Sequence, residues 1–338
     1  MFFNAQFCKF IFLLLLFCKM CYNEFMKEYA LNYYPNFKCT ADKCKHTCCA
    51  GWEMCIDEIA LQKYRQEKSS FAPTLANGIN FKKSKFKADK NGRCAFLNGQ
   101  GLCEIIINLG EQSLCQVCTD HPRFRSFFDD RVELGLGFCC EEATRLILSF
   151  EEKISPVLTK DDGKEQTLGF IQKSVLEFRQ SALNVVQDRQ KDVNDRINDL
   201  LHLCKAKINE KDFGKILKAF RSFEKLDNSW AKRLKSLKDK PFEMDTASSL
   251  STYCEQFLVN GLYRHLSGAE DTLCARARVV ALVLSWWIIK AILQNEATGK
   301  NPTFELVVDV VRAFSAEVEY SQKNLDKLFA LAFRFIKL

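Results

Sequence analysis

The chain has 338 residues, 47% hydrophobic and 27% charged, which suffices for two domains or one large one with a sizeable core. Only 14 glycines and 6 prolines exclude collagen-like, linker-rich and turn-dense all-β chains, while 29 phenylalanines speak for a heavily packed interior. The net charge of +7 is spread along the sequence, compatible with an acidic partner but too diffuse to argue for nucleic acid.

At the N-terminus, Phe10 to Phe17 reads FIFLLLLF between Lys9 and Lys19, like the apolar core of a signal peptide. It is too short for a spanning helix, which needs about 20 apolar residues. No small-x-small cleavage site follows. Residues 1–25 are therefore read as a doubtful leader, or as an extension upstream of a start at Met20 or Met26, and no stable membrane insertion is expected. From Tyr33 to Arg145 short apolar runs alternate with cysteines and with the turn signals Asn91-Gly92 and Asn98-Gly99. One amphipathic helix is predicted there, Asp57 to Gln66, with Ile59, Leu61 and Tyr64 as its apolar positions.

Beyond Cys140 the pattern turns helical. Thr167 to Lys207 repeats apolar residues three and four apart, among them Ile171, Val175, Phe178, Leu183, Val193, Ile197 and Leu200. After a break at Lys238 to Pro241, Val279 to Leu293 is apolar nearly all round and predicts a central buried helix, packed through Trp286 and Trp287. Thr303 to Phe314 and Asn324 to Ile336 predict two closing helices. The expected fold is mainly α: an irregular, cysteine-rich, metal-binding N-terminal region over residues 26–150, followed by an all-α helical domain over 151–338. The basic runs Lys82 to Lys90 and Lys232 to Lys240 could attract an acidic partner, although a charge run is most often a solvated face.

Seventeen cysteines are the unusual feature, and eleven of them lie between Cys39 and Cys140. A secreted disulfide scaffold is usually short and cysteine-rich throughout, whereas here a cysteine-dense third joins a cysteine-poor remainder. Metal or iron–sulfur ligation in a reducing compartment fits that asymmetry better, and ligation supplies what a hydrophobic core cannot. Soft thiolates suit zinc and iron–sulfur clusters alike. Only Cys115-x2-Cys118 is a clean hook, so zinc built on two such hooks and a cubane with dispersed ligands both stay open. His46 and His121 sit among the cysteines and could be a ligand or proton carrier, though a structural histidine is the plainer reading.

The strings CTADKCKHTCCAGWEMCID, CAFLNGQGLCEI, LGEQSLCQVC, HPR and CCEEATR, taken in order, resemble the flagellin lysine-N-methylase (FliB) family over residues 25–150. The resemblance implies a ligand set of Cys39, Cys44, Cys48, Cys49, Cys94, Cys103, Cys115, Cys118 and Cys140, and leaves out Cys55 and Cys139. His121 and Thr119 stand where the family commonly has tyrosine and a basic residue. It further implies an enzyme that methylates lysine ε-amino groups of flagellin in the cytoplasm. S-adenosylmethionine is its methyl donor, and a cysteine-held iron–sulfur cluster, 4Fe–4S before zinc, its metal centre. The residues themselves name no donor site. Gly135-Leu136-Gly137 lacks the third glycine of a dinucleotide turn, and after Cys44-x3-Cys48 the radical-type pattern would need cysteine where Gly51 stands. Glu141 and Glu142 beside Cys140 could accept a lysine proton or simply serve a helix N-terminus. The competing expectation is a non-catalytic, metal-stapled binding or chaperone-like protein for flagellin or another surface protein.

Overall fold

Side-chain caps mark where several helices start, and they connect the sequence to the architecture. In the computed structural model, residues 27–47, 49–50, 54–90, 92–161, 163, 167–238 and 247–337 are described. The leader, Cys48, Gly51, Trp52, Asn91 and the break at Pro241 fall outside them. Two compact units result: residues 38–123, and residues 27–37 together with 124–338. The second unit thus takes in segments on both sides of the first. This differs from the division at residue 150 read from the sequence.

Strand β1 (Lys27–Leu31) opens the described chain. Within the first unit, α1 (Glu58–Gln66) is capped by Asp57, whose carboxylate accepts from Ala60 N at 3.0 Å. Ala60, Leu61 and Tyr64 are its buried positions, whereas Ile59 is 61% exposed and faces out, contrary to the pattern reading. Next come α2 (Ala72–Gly78), the two-residue strands β2 (Ile79–Asn80) and β3 (Lys85–Phe86), and the short helices α3 (Glu104–Leu109) and α4 (Gln116–Asp120). Phe71, Phe86, Phe96 and Leu75 centre a small apolar core. At Gly78 an added Cβ would lie 2.2 Å from the Phe96 ring, so α2 can close on that ring only without a side chain.

The second unit is not all-α. Strands β4 (Arg123–Phe127), β5 (Arg131–Leu136) and, after α5 (Glu141–Leu148), β6 (Pro156–Lys160) join β1 in a four-stranded sheet of order β4-β5-β1-β6. β1 runs parallel to β5, with Lys27 opposite Arg131, and antiparallel to β6. β1, β4 and β5 lie in the stretch read as irregular and β6 alone in 151–338, so the all-α expectation for 151–338 is corrected at that strand, while the protein is mainly helical as expected. β5 is buried almost throughout, and its one charged interior residue, Glu133, forms a bidentate pair with Arg179 at 2.7 Å for both bonds.

Helices α6 (Phe170–Val186) and α7 (Val193–Leu203) divide the long periodic stretch, followed by α8 (Phe213–Arg221), α9 (Asn228–Ser236) and α10 (Ser251–His265). α11 (Thr272–Glu296) is the central helix, and Trp286 and Trp287 are buried in its packing as the sequence predicts. It is long and apolar enough to cross a membrane, yet here it is enclosed by protein on most sides. Its close approach to α10 requires Gly261, where a Cβ would meet Leu282 Cδ2 at 2.4 Å. α12 (Phe304–Phe314) continues through a single π turn, Ser315–Glu319, into α13 (Gln322–Phe333).

Glu255 shows how this helical core holds a buried charge. Glu255 on α10, 2% exposed, receives Arg196 Nη1 from α7 at 2.7 Å and Arg189 Nη2 at 2.8 Å, and Arg196 also reaches Val186 O. Removing one partner of such a set leaves a charge in a low-dielectric interior. Glu255→Ala should therefore cost about 3–5 kcal/mol in urea unfolding followed by tryptophan fluorescence. Breaking the exposed, solvent-screened Lys191–Asp199 pair by Lys191→Ala should leave the unfolding midpoint almost unchanged. Equal losses from the two variants would contradict the assignment of Glu255 as a buried hub.

Candidate functional site

The first unit brings five cysteines of the implied set into one neighbourhood. Cys94 and Cys115 are buried in its core, and Cys49, Cys103 and Cys118 pack against it. Backbone pairing places them. Cys94 N donates to Cys49 O at 2.8 Å, and Cys103 bridges Leu97 across the Asn98–Gly101 turn. Cys115 and Cys118 flank the first turn of α4 with their sulfurs 3.6 Å apart.

Asp57 sets the position of that hook. One oxygen caps α1, and the other accepts from Gln116 N at 2.7 Å, so a single carboxylate joins the starts of α1 and α4. Tyr64, on the same helix, donates its hydroxyl to Ser113 O at 2.6 Å, just ahead of Cys115. Burial above all, then the nearby Cys115 and Cys118 sulfurs, push the Tyr64 hydroxyl well above its ordinary pKa, so it stays a donor.

The thiols act on one another. The hydrogen bond shared with Cys118 holds Cys115 below the ordinary thiol value, helped by the N–H groups of Cys118 and Val117 at the head of α4. Cys118 is pushed up by the same shared proton, then by burial and by the sulfurs of Cys115, Cys49 and Cys94. Burial lifts Cys94 to about 11, with Cys103 and Cys115 adding to it. Sulfurs that oppose one another's ionisation ionise together only when a cation neutralises them, which is the condition for a metal ligand set.

The chemistry of the donors thus fits a thiolate-held centre. Among the described residues, however, no three His, Cys, Asp or Glu side chains stand together in metal-holding geometry. Cys39 and Cys44 lie on the 38–47 segment with local partners, Cys39 accepting from Ala41 N and Cys44 beside Thr40 Oγ1 at 3.0 Å. Cys48 lies outside the described residues. Cys140 belongs to the second unit, at the N-terminus of α5. Cys55, excluded from the implied set, is disulfide-bonded, and its carbonyl lies 3.9 Å from Cys115 Sγ. Twelve of the described cysteines carry free thiols, which is not the pattern of a disulfide scaffold.

Around Cys139 and Cys140 the second unit holds a polar cluster that periodicity could not reveal. The π turn carries Glu319 into the interior, where it meets His265 Nε2 at 2.8 Å, Ser315 Oγ at 2.5 Å and Arg264 Nη1 at 3.5 Å. Arg264 stacks over Tyr320 at 4.7 Å and over Phe124 at 5.8 Å. The detectable signal was the Arg264-His265 pair closing α10. Glu141 and Glu142 are both engaged by Arg145, which also pairs with Glu305, so they anchor a salt-bridge cluster.

Two outcomes follow. Asp57→Ala should lower the stability of the first unit by about 1–2 kcal/mol. It should also expose Cys115 to alkylation, read by peptide mass spectrometry, whereas the native thiol is protected. Unchanged protection would mean that Asp57 does not position the hook. In the second unit, burial holds His265 below its ordinary 6.5 and Arg264 helps hold Glu319 at about 2 against burial. The unfolded chain then binds protons that the folded one does not, so stability should fall as pH drops below 6.5 and fall further below 4.5. His265→Gln should flatten the first part of that loss. A native protein that gains stability on mild acidification would reverse the assignment.

Comparison with known proteins gives this architecture a relationship. Residues 137–334 match the FliB lysine N-methylase C-terminal domain. The flagellar biosynthetic protein FliU of Salmonella muenchen is 28% identical over 135 residues, 37% of this chain and 80% of that protein. Proteins named lysine-N-methylase from Salmonella choleraesuis (strain SC-B67) and Salmonella typhimurium are each 27% identical over 135 residues, again 37% of this chain. The match spans only 34% of the length of each of these two methylases. No solved structure matches. With its family domain covering more than half of its length, the chain belongs to the FliB lysine N-methylase family.

Proposed function

We propose that the protein methylates lysine ε-amino groups of flagellin in the cytoplasm, before the subunit is exported, with S-adenosylmethionine as donor and a cysteine-held iron–sulfur cluster in the first unit. The single observation that carries the reading is the family domain over 137–334; the convergence of Cys49, Cys94, Cys103, Cys115 and Cys118 supports its metal centre. The flagellar name of one relative and the methylase names of the others supply the substrate class and the reaction.

The donor, when bound, supplies a methyl group on a sulfonium, and the acceptor lysine must reach it as a neutral amine. What the chain contributes to the metal centre is legible in its own groups. Cys115 and Cys118 are the hook, Asp57 fixes the turn that bears them, and the Tyr64 hydroxyl stays protonated beside them. Because Cys94 and Cys118 resist ionisation, loading the centre has to release protons, and it should strengthen as pH rises. Gly135 and Leu136 are buried in β5, and no strand–glycine turn–helix unit occurs among the described residues.

Zinc is the second reading for the centre, and one distance favours it. Two thiolates on one tetrahedral zinc stand about 3.8 Å apart when each bond is about 2.3 Å. Cys115 and Cys118 are at 3.6 Å, whereas cubane ligands each sit on their own iron and are spread wider.

The test uses full-length protein purified anaerobically, its Cys115→Ser/Cys118→Ser variant, unmodified flagellin and methyl-labelled donor. A brown protein containing iron and sulfide, with label on flagellin lysines that the variant cannot transfer, is the expected outcome. A colourless protein holding zinc would replace the cluster but leave methylation standing. Equal labelling by both proteins would reduce the centre to a structural staple. An absence of label from fully loaded protein would hand the case to the binding-protein alternative.

A further inference from the structure

One disulfide stands among the thiols of the first unit, and the metal-centre reading does not use it. Cys55 is disulfide-bonded, whereas every other described cysteine is free. Its partner is therefore Cys8, Cys18, Cys21 or Cys48, the cysteines outside the described residues. In a reducing compartment a disulfide is usually transient, catalytic or redox-sensing rather than a permanent staple.

That residue sits beside the hook. Residues 55–57 run past residues 115–116 and touch them twice: Cys115 Sγ lies 3.9 Å from Cys55 O, and Gln116 N donates to Asp57 Oδ2 at 2.7 Å. Each segment is also held from its far side. Ile56 N donates to Ser84 O at 2.7 Å and Phe86 N to Met54 O at 3.1 Å, so Cys55 is paired against β3 at Lys85. Tyr64 holds Ser113 O just ahead of Cys115. The backbone around Cys55 and the hook are thus fixed side by side. A cysteine carries its sulfur a single carbon from the backbone, so rotation about Cα–Cβ moves the Cys55 sulfur within the space beside the hook.

The two hook thiols are placed to close on each other. Their sulfurs are hydrogen-bonded at 3.6 Å across the first turn of α4, against about 2.05 Å in a disulfide. Exposure separates the three cysteines. Cys115 is 0% exposed, while Cys55 and Cys118 are partly exposed. A soluble oxidant or dithiol can therefore meet Cys55 or Cys118, and only another group of the protein meets Cys115.

We propose that the Cys115–Cys118 hook exchanges internally with the Cys55 disulfide, which switches the hook between a dithiol that ligates and a disulfide that does not. Cys115, as thiolate, attacks the sulfur of Cys55. The Cys55–Cys115 bond forms, the bond to the original partner breaks, and that partner leaves as a thiolate that takes up the proton lost by Cys115. Cys118 then attacks Cys115, and its proton passes to the released Cys55. One disulfide is consumed and one is formed, so no outside oxidant or reductant takes part. A metal ion on the hook blocks the exchange by occupying both thiolates. The exchange does not rest on the methylase assignment, and it is read without any activity.

The test uses full-length protein, kept anaerobic and freed of metal with a chelator. Samples are quenched in acid at intervals, alkylated with N-ethylmaleimide, digested without reductant and mapped by mass spectrometry. A Cys115–Cys118 disulfide should appear as the Cys55 disulfide disappears, one for one, with the number of free thiols constant. Cys118→Ser removes the second step, so the Cys55–Cys115 mixed disulfide should accumulate instead. Cys55→Ser should keep the hook fully reduced under the same conditions, with native-like thermal unfolding to show that it folds. A Cys55 disulfide that persists unchanged, with no mixed disulfide in Cys118→Ser, would overturn the proposal. So would a hook disulfide that forms equally in Cys55→Ser or at the expense of the thiol count, since an outside oxidant would then be its source. Native protein in which Cys55 is a free thiol would also sink it.

Discussion

One carboxylate organises the cysteine centre. Asp57 stands at the N-termini of two short helices at once, with one oxygen on Ala60 N and the other on Gln116 N. Each bond satisfies an amide that a helix start leaves unpaired, and the negative charge sits at two positive dipole ends. The consequence reaches the chemistry. The residue before Gln116 is Cys115, so the bond that caps α4 also fixes the first sulfur of the hook. Nine- and five-residue helices have little stability of their own, and neither would hold these thiols without such a tie.

The two units solve the burial problem by different means. The second unit is large enough to surround α11 with other helices, and it buries charge in matched sets such as Glu133–Arg179 and Arg189–Glu255–Arg196. The first unit has two-residue strands, short helices and a core dominated by a few aromatic rings. In a unit of that size apolar burial alone leaves a narrow margin, and sulfur-held ions are the common remedy. Thiols such as Cys94 and Cys118, whose ionisation is opposed by burial and by neighbouring sulfurs, are costly to ionise as free groups and favourable as ligands. On the proposed metal-held reading, the centre would also add to the stability of this unit.

The π turn links the two polar features of the helical unit. Its five residues carry Glu317 to the 222–227 loop and, two positions later, Glu319 to Arg264 and His265. Residues two apart on a helical turn lie on well-separated faces, so the two carboxylates meet different buried partners. One short distortion therefore pins that loop and anchors an interior ion cluster. Both features lie inside the region that matches the family domain.

Much of this was legible in the sequence. Periodicity located α11, because a helix surrounded by protein must be apolar on every face, and it located the closing helices by their apolar stripes. The motif strings carried the family, and cysteine density carried the expectation of a sulfur-rich centre. The sheet was missed because its strands are five or six residues long and β1 pairs with β5 about a hundred residues away, a register that no local pattern encodes. Ile59 was misplaced because a nine-residue helix presents several apolar residues and only its neighbours decide which of them are covered. Which cysteines meet was also a tertiary matter. Spacing along the chain does not reveal that Cys49 and Cys94 share a backbone hydrogen bond, or that Cys115 and Cys118 lie in the same core as both. The chain alone determined the residue types available for ligation and the apolar stripes that bury the helices. Only the folded structure, by closing long loops and desolvating particular groups, decided which thiols act together and which charges stand buried in pairs.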